Sequence, residues 1–191
     1  MATDLVDQTG RRRRHRTASE ADLVVWARAG DQDAFGELAE RSRKRLFSVC
    51  VRICGDEHSA LDAAQNALLD AWRALPRFEG RSSFSTWLCQ IGSRASLAVV
   101  SRRRAEPMAE VPEPVGPFSA ALEESVASVS AVRWALEKLP PDFRSALVLR
   151  EYADMTYQEI AEAQGVRVET VKTRIARARR AVAQVLEAAE A

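Results

Sequence analysis

Both ends of a short helix are written into residues 156–165, and a longer, one-sided helix follows almost at once. Thr156 and Glu159 form a T-x-x-E capping box, in which each side chain satisfies a backbone N–H of the first turn. Gly165 suits the left-handed turn that ends this helix after Ile160 and Ala161. From Val168 onward, Val171, Ile175, Ala178 and Val182 recur at intervals of four, three and four, which makes one stripe of a second helix. At about 100° per residue, Thr173, Arg177, Arg180 and Gln184 lie opposite that stripe, with Lys172, Arg174 and Arg179 on its flanks. Arg167 and Val168 sit where the N-cap belongs, and neither caps well. A capped short helix, a glycine turn and a helix apolar on one side and cationic on the other read as a helix-turn-helix suited to the DNA major groove. A basic helix face is ordinarily just solvated. Here six Lys or Arg residues stand against one acid, Glu169, between Arg167 and Arg180, an excess that repels itself unless phosphates neutralise it.

Other nucleic-acid contacts would also be local. The 191-residue chain has a net charge of only +1, and its basic residues gather at Arg11–Arg16, Arg102–Arg104 and Arg167–Arg180. Hydrophobic residues make up 47% of it, enough for globular cores, while no apolar run of about 18 residues is present to span a membrane. Cys50, Cys54 and Cys89 are too few for a disulfide framework and point to a reducing cytosol. Cys50, Cys54 and His58 recur every four residues, but Gly55 and Asp56 interrupt the helix before His58 and a fourth ligand is lacking, so no metal is expected. No Gly-rich phosphate loop, nucleophile elbow or metal set suggests an enzyme, and no cofactor is expected.

The expected fold is all-α, with two small helical domains joined by a Pro-rich linker. A disordered basic tail (1–18) precedes the first domain (19–104), with helices over Leu23–Ala29, Ala34–Cys54, Ser59–Leu75 and Ser85–Arg103. Between Ala105 and Phe118 lie four of the seven prolines, three glutamates and, past Ala105, no basic residue. This acidic tether (105–121) is stiffened by proline. The second domain (122–188) resumes at Leu122, adds a helix around Phe143–Tyr152 and ends in the helix-turn-helix.

These residues resemble the sigma factors of bacterial RNA polymerase, of the extracytoplasmic-function (ECF) type. The C-terminal "LPPDFRSALVLREYADMTYQEIAEAQGVRVETVKTRIARARRAV" is similar to the family's fourth conserved region. "AGDQDAFGELAERSRKRLFSVC", "DAAQNALLDAW" and "RFEGRSSFSTWLCQI" are similar to its second. The resemblance implies a non-catalytic, cytoplasmic promoter-specificity subunit. Its second region would dock on the clamp of the largest polymerase subunit and grip the −10 element. Its fourth would sit on the flap of the second-largest subunit and read the −35 element. An anti-sigma protein is a further partner that the family suggests.

Candidate site residues follow. On the helix after Ser59, Asp62, Gln65, Leu69 and Arg73 form a mixed stripe suited to docking on polymerase, distinct from an expected core stripe of Leu61, Ala64, Leu68 and Leu75. Phe78, Arg81, Ser82 and Ser83 are the expected −10 contacts, since exposed aromatics and arginines serve unpaired bases, while Phe84 and Trp87 are expected in the core. Lys172, Thr173, Arg174 and Arg177 are the expected −35 set. A linker of about 14 residues reaches roughly 45 Å when extended. Elements about 17 base pairs apart lie roughly 58 Å apart, and the domain radii close that gap. The chain departs from the family at Arg94 (usually asparagine), Ala98 (usually aspartate), Leu61 (commonly glutamate) and Asp70 (usually basic). Arg94 is expected to alter −10 preference, because its five donors replace an amide that also accepts. The rival reading is a helix-turn-helix regulator that binds DNA without polymerase, usually as a dimer on a palindrome.

Overall fold

Helix caps set most of the element boundaries in the computed structural model, which describes residues 14–105 and 131–190. Helix α1 (Glu20–Arg28) starts at Ser19, whose Oγ accepts from the Asp22 amide. Helix α2 (Gln32–Cys54) starts at Asp31 and ends at Gly55, whose φ of 89° suits a residue without Cβ. Asp56 caps α3 (Glu57–Ala74), which tightens into a 3₁₀ turn at Leu75–Arg77. Helix α4 (Phe84–Ala105) is capped twice. Ser83 Oγ accepts from the Thr86 amide at 3.1 Å, and Glu20 Oε1 reaches across from α1 to the Phe84 amide at 2.9 Å. Residues 131–137 are helical, followed by α5 (Pro141–Tyr152), α6 (Tyr157–Gln164) and α7 (Val168–Glu190). Among the described residues there is no strand. The expected tether and the chain just after it (106–130) lie outside the described residues.

The expected tail differs in its last part. Residues 14–17 are helical, and the Arg41 guanidinium donates to the carbonyls of His15, Arg16 and Ala18 at 3.0–3.1 Å. This segment is fixed to α2 because one planar donor fork reaches three backbone acceptors at once. Residues 1–13 lie outside the description.

Helices α1 to α4 enclose one core, built from Leu23, Leu38, Leu46, Phe84 and Leu88 with a run of alanines. Those alanines correct the expected stripe on α3 at Leu61, while Leu75 is buried as expected and Ala64 and Leu68 pack against the same core. The inward positions are Ala60, Ala63, Ala67 and Ala71, all fully buried, whereas Leu61 and Leu69 are 51% and 55% exposed. Small residues let α3 lie close to α2 and α4, and large ones would hold the helices apart. Gly92 on α4 is a second sign of that closeness: a Cβ there would stand 2.4 Å from Leu46 Cδ1.

The second core gathers Leu136, Leu139, Ala146, Leu149, Met155, Ile160, Val171, Ile175 and Ala178, and also includes Val49 and Ile53 of α2 and Cys89 of α4. The two helical units therefore pack against each other. All three cysteines are buried and free. Burial pushes the Cys50 thiol up to about 12 and the Cys89 thiol up to about 11. The His58 side chain is exposed at the start of α3 instead, away from the buried thiols.

Candidate nucleic-acid interface

The turn between α6 and α7 is held as its residue types require. Thr156 Oγ1 accepts from the Glu159 amide at 3.2 Å, and Glu159 Oε2 accepts from the Thr156 amide at 2.8 Å. Gly165 closes α6 at φ 64°. Helix α7 lacks a side-chain cap of the Ser or Asp kind, and its first turn closes through the Arg167 carbonyl, which accepts from Thr170 and Val171. Val171, Ile175 and Ala178 are buried, and Thr173, Arg177, Arg180 and Gln184 are exposed on the opposite face. Lys172 is also exposed and pairs with Glu169 at 2.7 Å.

Arg174 has a different place. Its guanidinium donates to Gln164 Oε1 at 2.7 Å and Asp142 Oδ2 at 3.0 Å, with only 17% of the side chain exposed. Gln164 in turn donates to the Asp142 carbonyl. Arg174 fixes α7 to α5 and α6 and does not join the outward set. Arg179 makes a similar tie, to Glu151 at 2.6 Å, and that hydrogen bond raises its already high pKa.

Of the expected −10 residues, Arg81, Ser82 and Ser83 lie on the loop before α4. Arg81 is exposed and pairs with Glu79 at 2.6 Å, while the Ser83 hydroxyl is occupied as the α4 cap. Phe78 is not a free platform. It is 6% exposed, with its ring 4.8 Å from Trp87 and 6.2 Å edge-on to Phe84. The 3₁₀ turn before it bends the chain back, so that the ring enters the core at the same end as Phe84.

Arg94 does not point freely to DNA either: its Nε donates to the Ala163 carbonyl of α6 at 3.1 Å. The mixed stripe on α3 is outward as expected. Asp62, Gln65, Leu69 and Arg73 are all exposed, Leu61 joins them, and Asp70 pairs with Arg73 along the same helix. Among the described residues, His15, Asp31 and Asp33 are close enough to share a metal. Asp31 is already engaged, however, capping α2 with one oxygen and accepting from His15 Nε2 at 3.1 Å with the other. Burial tends to raise its pKa, but the Ala34 amide and His15 outweigh that and leave it below its ordinary value.

Residues missed from sequence join the two units. Arg144, 5% exposed, donates to the Ile53 carbonyl at 2.9 Å and the Glu137 carbonyl at 2.8 Å. Arg45 reaches Asp154 at 2.6 Å, Arg52 lies over the Tyr152 ring at 3.9 Å, and Ser93 shares a 2.7 Å hydrogen bond with Ser145. No local pattern announces pairs so distant in sequence.

Residues 38–106 match the family model "Sigma-70 region 2", and residues 130–182 match "Sigma-70, region 4". The RNA polymerase sigma-H factor of Pseudomonas aeruginosa is 32% identical over 183 residues, covering 88% of this chain and 94% of its own. The ECF RNA polymerase sigma-E factor of Escherichia coli K12 is 34% identical over 177 residues, 84% of this chain and 90% of its own. The chain belongs to the ECF sigma factors of RNA polymerase. Among solved structures, CnrH in complex with the cytosolic domain of CnrY matches this sigma factor with a TM-score of 0.65. That match has 28% identity and covers 87% of this chain and 96% of the other. In the sigma factor described here, α3 and α4 fall within region 2, and α5 to α7 fall within region 4 up to residue 182.

Proposed function

We propose that this sigma factor, a non-catalytic cytoplasmic subunit, directs core RNA polymerase to promoters through two separate surfaces. The exposed face of α3, with Asp62, Gln65, Leu69 and Arg73 and the added Leu61, docks on the clamp of the largest subunit. The region 4 unit sits on the flap of the second-largest subunit and presents α7 to the −35 element. Thr173 and Arg177 read base edges there, and Lys172 meets phosphate, with Arg174 holding the helix in place. Arg81 and the loop around Ser82 contribute to the −10 element, and an anti-sigma protein is a further partner. The observation that carries the reading is the outward placement of Thr173 and Arg177 directly opposite the buried stripe of α7.

The test is promoter binding by holoenzyme on duplexes with preferred and scrambled −35 sequences. Arg177→Ala should cost about 1–3 kcal/mol on the preferred duplex alone if it makes a bidentate base contact. Lys172→Ala should weaken both equally and flatten the salt dependence by about one unit of slope. Equal losses for Arg177→Ala on both duplexes would demote it to a phosphate contact. Tight, specific binding by the chain without polymerase would favour the independent regulator instead.

A further inference from the structure

We infer that residues 14–17 form a basic arm of region 2 that binds promoter DNA, with Arg14 and Arg16 meeting backbone phosphates beside the −10 element. The inference rests on the reading that the loop around Arg81 meets that element. Residues 11–19 carry five arginines and no acid, and such a run is ordinarily just solvated. Here its last part has a seat. His15 is 3% exposed, with its ring 5.5 Å from the Trp26 ring and its Nε2 3.1 Å from Asp31. Arg41 holds the carbonyls of His15, Arg16 and Ala18. With His15 turned inward and the backbone held, the Arg14 and Arg16 side chains are left exposed. The Arg14 guanidinium lies 4.2 Å from the centroid of the Trp26 ring, which steadies the charge without neutralising it. Exposed Arg43, Arg73, Arg81 and Arg103 each pair with a carboxylate, whereas Arg14 and Arg16 have no ion pair among the described residues.

Helix α1 connects this arm to the −10 loop. Glu20 Oε1 accepts from the Phe84 amide at 2.9 Å, and Arg28 donates to the Pro76 carbonyl at 3.3 Å, so one flank of α1 runs along residues 76–84. Trp26, which receives Arg14, is two residues from Arg28 and so about 160° round the helix from it. Arm and loop therefore stand on opposite flanks of one helix, roughly 10–12 Å across with its side chains. The ridge between them is formed by exposed Ala21, Val25 and Ala29, while Asp22 accepts from the Ser19 hydroxyl at 2.7 Å. A strand leaving the loop can cross α1 over these uncharged side chains and bring its phosphates to Arg14 and Arg16. Such contacts add affinity and fix register without reading sequence.

The test uses holoenzyme, assembled with saturating core polymerase and titrated onto a fork-junction duplex that carries the −10 element but not the −35. Arg14→Gln with Arg16→Gln should weaken binding about tenfold at about 0.1 M salt, and lower the slope of log affinity against log salt by about 1.5. Arg14→Lys with Arg16→Lys, which keeps both charges, should retain the slope. Affinity of the Gln variant for core polymerase should be unchanged. The inference is overturned if the Gln variant keeps the wild-type slope. It is also overturned if that variant loses core affinity to the same extent, which would make the arm a polymerase contact. A Lys variant that loses the slope as the Gln variant does would sink it too, since the loss would then be one of packing. Arg81→Gln on the same duplex tests the loop separately. No loss for Arg81→Gln, beside a lowered slope for the Gln variant of the arm, would remove the loop from the −10 contacts and leave the arm as a DNA contact.

Discussion

Phe78 lies against Trp87 and Phe84 in a three-ring cluster, and this decides what its removal would do. Phe78→Ala should destabilise the chain by about 3 kcal/mol, measured by urea unfolding, because the surrounding rings cannot fully collapse into the space. A loss below about 0.5 kcal/mol would mean that the ring sits at the surface after all. The buried thiols have their own signature. In the folded chain Cys50 is pushed up to about 12 from an ordinary 9.0, chiefly by burial. The unfolded chain therefore ionises first, and stability present below pH 9 should fall as pH rises from there toward the folded value. Comparing urea midpoints at pH 8 and 10 checks this, and the decline should be shallower in Cys50→Ala.

Helix α3 shows how much of an element is legible in its residue types. Its limits follow from Asp56 and the Pro76 turn, but Leu61 was placed on its core face in error, while Leu75, Ala64 and Leu68 do meet the core. Hydropathy favours the larger Leu61 over Ala60, whereas close packing against α2 and α4 favours alanine at 60, 63, 67 and 71. Whether a helix is packed closely is a property of its neighbours, and no local spacing encodes it. On α7 the apolar partners were large enough for the stripe to be read directly, and both the capping box and the Gly165 turn were visible as motifs. Thr156→Ala should accordingly lower stability by about 1 kcal/mol in a thermal melt. Gly92→Ala should also destabilise, by about 1–2 kcal/mol: the new methyl would press on fully packed Leu46, and better helix propensity only partly offsets this. A gain in melting temperature for Gly92→Ala would show that Leu46 can move aside.

Across the whole molecule, the shared core makes the two units depend on each other. Residues 1–105 produced alone would expose Val49, Ile53 and Cys89, so this piece should melt below the full chain, whose transition should be single by circular dichroism and by tryptophan fluorescence. Two separated transitions in the full chain would mean that the boundary contributes little. The all-α class and both conserved regions were legible because they are local patterns. The boundary was not, since Arg45–Asp154 joins residues 109 apart and Arg144–Ile53 joins residues 91 apart. A last consequence concerns the behaviour of the chain in bulk solution. Leu61 and Leu69 add exposed apolar area to the mixed face of a chain whose net charge is only +1 at pH 7. Little electrostatic repulsion then keeps copies apart, and concentrated solutions should turn turbid at low ionic strength near pH 7. Leu69→Glu, which removes exposed apolar area and adds an acidic charge, should raise the concentration at which light scattering climbs.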